Sequence, residues 1–155
     1  KQKRLPDESQ EITDLLISLA SLRRKEERMK EAFIANRTLI ERYTAAYGAK
    51  SMATLDRQAF EAEILKSQGH YNEAEKLMRV VVEDISALVD RHNIEALPYV
   101  FSLAGILKKV GNLVEAESIY KELLQVQLQM DQNESRATAN ILNNLGVTYI
   151  EMRRY

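Results

Sequence analysis

Small and apolar residues return along this chain every 42 residues. Ala20, Ala62, Ala104 and Gly146 are each 42 apart, and so are Ala32, Ala74 and Ala116. Met29, Tyr71, Leu113 and Tyr155 keep the same register, as do Leu39, Val81 and Leu123. Within a period the pattern reads helix, tight turn, helix. Val100, Leu103, Ala104 and Leu107 fall at i, i+3, i+4 and i+7, the spacing of one helical face. Gly111-Asn112 then breaks the helix, glycine being the residue that best tolerates a left-handed cap. Leu113, Ala116, Ile119, Tyr120, Leu123 and Leu124 mark the buried side of the helix that follows. The preceding period repeats this, with Ala62 and Leu65, a Gly69-His70 turn, then Tyr71, Ala74, Leu77, Met78, Val81 and Val82.

The pattern predicts seven helices, roughly over 8–26, 29–46, 51–68, 72–90, 95–110, 114–131 and 135–152. They group into units of about 13–54, 55–96 and 97–138, with a half-unit at 139–155. A period of this length signals a stack of supersecondary units, each burying its apolar face on the next. The small columns have a steric reason. Two helices joined by a short turn cross closely, and Ala or Gly lets their backbones approach. Ala104 and Ala116 are expected at one such crossing, with Tyr71, Tyr120 and Tyr149 filling the holes beside the crossings. The first unit is degenerate: Glu27 stands in place of the turn glycine, Arg23 in place of an apolar residue, and Asn36 at the position of Met78 and Tyr120. Asp7 with Gln10 makes a capping box at the first helix start, and Tyr47–Ser51, Asp90–Asn93 and Asp131–Ser135 carry turn residues.

Gly-x-Tyr-x-x-Ala at 69–74 and Gly-x-Leu-x-x-Ala at 111–116 resemble the turns of tetratricopeptide repeats. Leu145-Gly146-x-x-Tyr149 is similar to the first-helix signature of that family. The usual repeat has 34 residues. A period of 42 resembles the kinesin-light-chain type, whose helices are longer, and the eight extra residues are worth about 12 Å of helix. Leu142-Asn143-Asn144-Leu145-Gly146 also looks like a stretch typical of that type. The resemblance covers about 13–155.

The resemblance implies an all-α, right-handed α-solenoid. Its concave wall would be lined by first helices and would bind an extended peptide or a partner helix. The implied groove positions are Ile17, Ser21 and Arg24; Ala59, Glu63 and Lys66; Phe101, Gly105 and Lys108; Asn143, Val147 and Ile150. Asn143 and Asn144 match asparagines that contact cargo peptide in that family. An amide can donate to and accept from a peptide backbone at once, but adjacent helical residues do not face one way. Either asparagine could instead satisfy a nearby backbone group or point to water. Lys66, Lys108 and Arg24 favour an acidic ligand, or are simply solvated. Ser21, Glu63 and Gly105 depart from the asparagines of chaperone-binding relatives, so a chaperone C-terminal carboxylate is not expected.

Composition narrows the function classes. Of the 155 residues, 45% are apolar and 29% charged, an ordinary balance for a globular chain. A net charge of −1 speaks against a nucleic-acid binder. There is no cysteine, hence neither a disulfide framework nor a thiolate metal site. No apolar run is long enough to cross a membrane, and the N-terminal residues do not form a secretory signal. His70 and His92 lack partners at metal-ligand spacing, and no phosphate loop or nucleophile motif is present. No enzyme, cofactor, metal or membrane role is therefore expected, and a cytoplasmic location is. The run Arg23–Arg28 reads as a solvated face. Asn36-Arg-Thr and Asn133-Glu-Ser read as chance glycosylation triplets. Without an initiator Met, the chain reads as a piece of something longer. The last helix is apolar on more than one face, so it is expected to be partly exposed or buried by self-association. The leading expectation is a protein-binding module. The alternative is a ligand-sensing regulatory array inside a larger signalling ATPase or transcription regulator, which an upstream nucleotide-binding or DNA-binding domain would reveal.

Overall fold

A computed structural model describes residues 12–19, 21, 29–130 and 136–153. Those residues form helices and short turns, with no strand among them. In chain order they are α1 (residues 12–19), α2 (Met29–Tyr47), α3 (Met52–Ser67), α4 (Tyr71–Leu88), α5 (Leu97–Val110), α6 (Leu113–Met130) and α7 (Arg136–Met152). From α2 onward every boundary lies within two residues of the expectation from the sequence. Ala20, Arg23, Arg24, Glu27, Tyr155, the capping box at Asp7 and the loop at 131–135 lie outside the described residues.

The helices fall into two compact units, one ending at Leu77 and the other beginning at Met78, so that the division lies within α4. In the first unit α2 packs on α3. Ala32, Leu39, Leu55, Ala62, Ile64 and Ala74 are buried there. The α2–α3 turn is closed by side chains. Ser51 Oγ accepts from the Thr54 N–H at 3.2 Å, and Thr54 Oγ1 donates to the Gly48 carbonyl at 2.8 Å. Asn36 is fully buried, and its amide donates to the Arg57 carbonyl at 2.9 Å. A glycan cannot be attached at a side chain so enclosed, which removes that triplet as a modification site in the folded chain.

In the second unit α5 packs on α6, α6 on α7, and α5 also touches α7. The core holds Met78, Val81 and Ile85 of α4, Val100, Ala104, Ile106 and Leu107 of α5, Ala116, Tyr120 and Leu123 of α6, and Ile141 and Leu145 of α7. Ala104 and Ala116 are completely buried.

The two tight turns have one geometry. Gly69 and Gly111 sit at φ +83° and +96°, where a Cβ would clash with its own backbone. At the first turn His70 N–H reaches the Leu65 carbonyl at 2.9 Å and Gly69 N–H the Lys66 carbonyl at 3.1 Å. At the second, Asn112 N–H reaches Leu107 at 2.9 Å and Gly111 N–H reaches Lys108 at 3.2 Å. This paired bonding satisfies the last carbonyls of each helix. Asn112 then caps α6: its Oδ1 accepts from the Glu115 N–H at 3.4 Å, and its Nδ2 donates to Glu115 Oε2 at 2.7 Å. The start of α5 falls two residues later than the spacing suggested, at Leu97. Asp90 and Asn93 hold the preceding turn by accepting from the His92 and Glu95 N–H groups.

Candidate functional site

The second unit brings several of the implied groove positions together. Phe101, Gly105 and Lys108 follow one another along one face of α5, spaced by four and three residues. Facing them on α7 is Asn144. Lys108 Nζ donates to Asn144 Oδ1 at 3.1 Å, which ties α5 to α7. The amide of Asn144 is oriented from the other side, because its Nδ2 donates to the Asn140 carbonyl at 2.9 Å. Its own carbonyl accepts from Thr148 Oγ1 at 2.8 Å. Asn143, the next residue along α7, is exposed. The two neighbouring asparagines therefore do different things: Asn144 is held inside the wall, and Asn143 is presented to solvent. Val147 is half-buried beyond it, and Ile150 is exposed.

An apolar cavity of about 490 Å³ opens beside Phe101. Ile94 lines it from the turn before α5, Leu97 and Pro98 from the start of α5, Leu123 and Gln127 from α6, and Ala137, Asn140 and Ile141 from α7. Behind Phe101 stands Tyr120, fully buried, with ring centroids 5.6 Å apart in an edge-on contact. Burial, with a smaller push from the Glu151 carboxylate, raises the Tyr120 hydroxyl to a pKa of about 12. It is a neutral donor at any ordinary pH.

In the first unit the same positions are arranged differently. Lys66 and Glu63 form an ion pair one turn apart on α3. Ala59 is buried, Ile17 half-buried and Ser21 exposed. Glu61, beside this face, is almost fully buried and pairs with Arg37 Nη2 at 2.8 Å. Burial raises the Glu61 pKa, and Arg37 only partly offsets it.

Two expected packing roles are corrected. Tyr149 does not fill a buried hole. It is 40% exposed and lies under Lys121 Nζ, 5.7 Å from the ring centroid. Tyr71 is only half-buried. Gly146, in phase with the buried Ala62 and Ala104, is exposed with nothing within 4 Å of where its Cβ would be. The reason is common to Tyr149 and Gly146: no described helix follows α7 to cover that side.

Scanning only apolar columns misses a charged one. Glu31, Glu73 and Glu115 share a phase, and so do Arg37, Arg79 and Lys121. In the second unit Arg79 clasps Glu115 through two bonds of 2.7 Å. That contact, with Asn112, holds the Glu115 carboxyl below its usual range. Arg91 and His92 add a second contact, both reaching Glu122 Oε1 at 3.1 Å. Among the described residues no three His, Asp or Glu side chains gather as metal ligands. No described helix is long and apolar enough to cross a membrane.

No protein-family model matches the chain, and no curated protein matches it in sequence. Solved structures do. The nearly identical TPR-like repeats of a Podosopora anserina protein, described as a kinesin light chain, superpose with a TM-score of 0.80 at 17% identity. The match covers 88% of this chain and 64% of that one. A single-substitution variant of the same repeats gives a TM-score of 0.82 at 16% identity, over 94% of this chain and 68% of the other. BtubC (BKLC) from P. vanneervenii gives 0.78 at 16% identity, over 96% of this chain and 58% of the other. This chain thus spans less than two thirds of the first and third of these structures. Identities this low speak to architecture alone. The chain has the all-α, helical-repeat fold of kinesin-light-chain-like tetratricopeptide proteins.

Proposed function

We propose that this chain is a protein-interaction module that takes an extended peptide or a partner helix between α5 and α7. The observation that carries the reading is the continuity of that surface. An apolar cavity at Phe101, a side-chain-free step at Gly105 and a cation at Lys108 follow one another on α5, with amides opposite on α7. Such a strip offers anchoring, close backbone approach and a charge in series. Lys108 favours an acidic residue in the ligand, and the exposed Asn143 amide suits a ligand backbone. The fold resemblance agrees with an interaction scaffold, by analogy.

The test is to pan the chain against a library of extended peptides and measure the enriched sequence on Asn143→Ala and Lys108→Ala. Loss of affinity in these variants, with unchanged folding, is expected. Enrichment that ignores both substitutions would place the ligand elsewhere. The outer side of α7 supports a second contact, with another copy or a partner helix, because Leu142, Tyr149 and Ile150 are 49%, 40% and 58% exposed. Sedimentation of the chain against Ile150→Glu checks the self-contact: a concentration-dependent dimer abolished by the glutamate is expected, and a monomer throughout removes it.

A further inference from the structure

Repeat phase allows a comparison at one buried position. Asn36, Met78 and Tyr120 are 42 apart, and all three are fully buried. Met78 fills its place without a hydroxyl or amide. Asn36 directs its amide N–H to the Arg57 carbonyl, while its Oδ1 has no hydrogen-bond partner. Tyr120 alone of the three carries a hydroxyl, and that hydroxyl has no hydrogen-bond partner. Burying an unpaired hydroxyl is costly. Since methionine serves at the equivalent place, packing there requires volume and not an oxygen.

The position of that oxygen gives it a use. A Cβ built on Gly105 would stand 3.8 Å from the Tyr120 hydroxyl, so the oxygen lies beneath the one step of the α5 face that has no side chain. Phe101, a turn earlier on α5, meets the Tyr120 ring and lines the cavity of about 490 Å³. Leu123, a turn later on α6, lines the same cavity. Tyr120 therefore stands behind both the cavity wall and the gap at Gly105. The nearby Glu151 carboxylate, which adds to the rise in the phenol's pKa, disfavours an anion at this spot. A neutral acceptor suits it: a protonated phenol donating to a carbonyl.

We propose that the Tyr120 hydroxyl is a ligand-binding donor, bonding a backbone carbonyl of a peptide whose adjoining apolar side chain fills the cavity beside Phe101. Entry requires the half-exposed Phe101 and Lys108 side chains to rotate aside. The proposal rests on the groove reading above and adds to it the group that grips the ligand backbone.

The probe is N-acetyl-leucine methylamide, an apolar side chain between two peptide groups with no charge. It is titrated into the full 155-residue chain and followed by the backbone amide signals of Phe101, Gly105 and Ile141. Two variants accompany it. Tyr120→Phe removes an unpaired hydroxyl, so it is expected to melt at or above the parent and to bind the probe roughly fivefold more weakly. Gly105→Ala adds a methyl at ordinary contact distance from the hydroxyl, so it is expected to fold as the parent does and to weaken the probe similarly. Unchanged affinity in Tyr120→Phe overturns the proposal, as does a parent that does not bind the probe. A Tyr120→Phe chain that melts clearly lower also overturns it, by showing that the hydroxyl serves the fold. A library peptide held equally by the parent and Tyr120→Phe would keep the groove and dismiss Tyr120. Probe binding through Tyr120 with no library peptide captured would keep Tyr120 and dismiss the peptide groove.

Discussion

Arg79 and Glu115, 36 residues apart, are joined by two parallel hydrogen bonds of 2.7 Å, guanidinium to carboxylate. The bond links α4 to the first turn of α6, where a carboxylate also meets the unpaired N–H groups of the helix start. Its counterpart in the first unit is different. Arg37, in phase with Arg79, turns to Glu61 instead. The cause is one substitution between repeats: Glu61 occupies the place that Leu103 and Leu145 hold later, and all three are buried. A carboxylate in a core position demands a partner, and Arg37 is the one that reaches it.

Both members of the Arg79–Glu115 pair are more than a third exposed, so their coupling is modest. Arg79→Ala, Glu115→Ala and the double variant should give a coupling of about 0.5–1 kcal/mol in a denaturation cycle, weaker in high salt. A coupling of zero at low salt would mean the clasp is not held in solution.

The two glutamates predict opposite responses to pH. Glu115 has a lowered pKa in the folded chain, so its contribution is present above the unfolded carboxylate value and is lost as pH falls through the folded value. Glu61 has a raised pKa, so its ionisation opposes folding. Glu61→Gln should therefore be more stable than the parent at neutral pH. That advantage should shrink as pH falls through the folded value and vanish below the unfolded one. Thermal melts of parent and variant from pH 3 to 7 check this, and a Glu61→Gln variant less stable at neutral pH would show that the Arg37 pair outweighs the burial.

Equivalent positions of the repeat should answer oppositely to added volume. Ala104 is fully buried at a helix crossing, and Ala104→Leu should cost about 1–3 kcal/mol by overpacking. Gly146, in the same phase, has open space around it, and Gly146→Ala should stabilise α7 by about 0.5–1 kcal/mol through helix propensity. Urea titrations of both variants test the repeat register. Equal destabilisation would mean that Gly146 is covered after all.

Gly111 at φ +96° tests the turn itself. Gly111→Ala should cost about 1–2 kcal/mol, because the left-handed region penalises a Cβ, even though no neighbouring atom obstructs it. A neutral result would mean that the turn adopts another geometry.

These positions also show what the residues alone could say. The period of the small columns is enough to give the helix pairs, the turns and the family of folds, because close crossings and glycine turns are local requirements, marked by a small residue at four positions 42 apart and by a turn glycine at two. Which asparagine would be held could not be read in the same way. Asn143 and Asn144 differ by a rotation of 100° about α7. Only the distance from α5 decides that Lys108 takes Asn144. The Arg79–Glu115 clasp left a trace in the sequence, two charged columns in register, but its partner choice depended on Glu61 standing where a leucine stands elsewhere. The exposure of Tyr149 and Gly146 was hidden for another reason. Their columns describe a covered surface, and whether a helix covers it is not a property of those residues.

The groove between α5 and α7 is tested most directly by a backbone NMR titration of the chain with a peptide enriched from the library. The account predicts shifts concentrated at 97–108 and 137–150, lost in part when Lys108 or Asn143 becomes alanine. Shifts confined to the faces carrying Arg79 and Glu122, or no shifts from any enriched peptide, would contradict it.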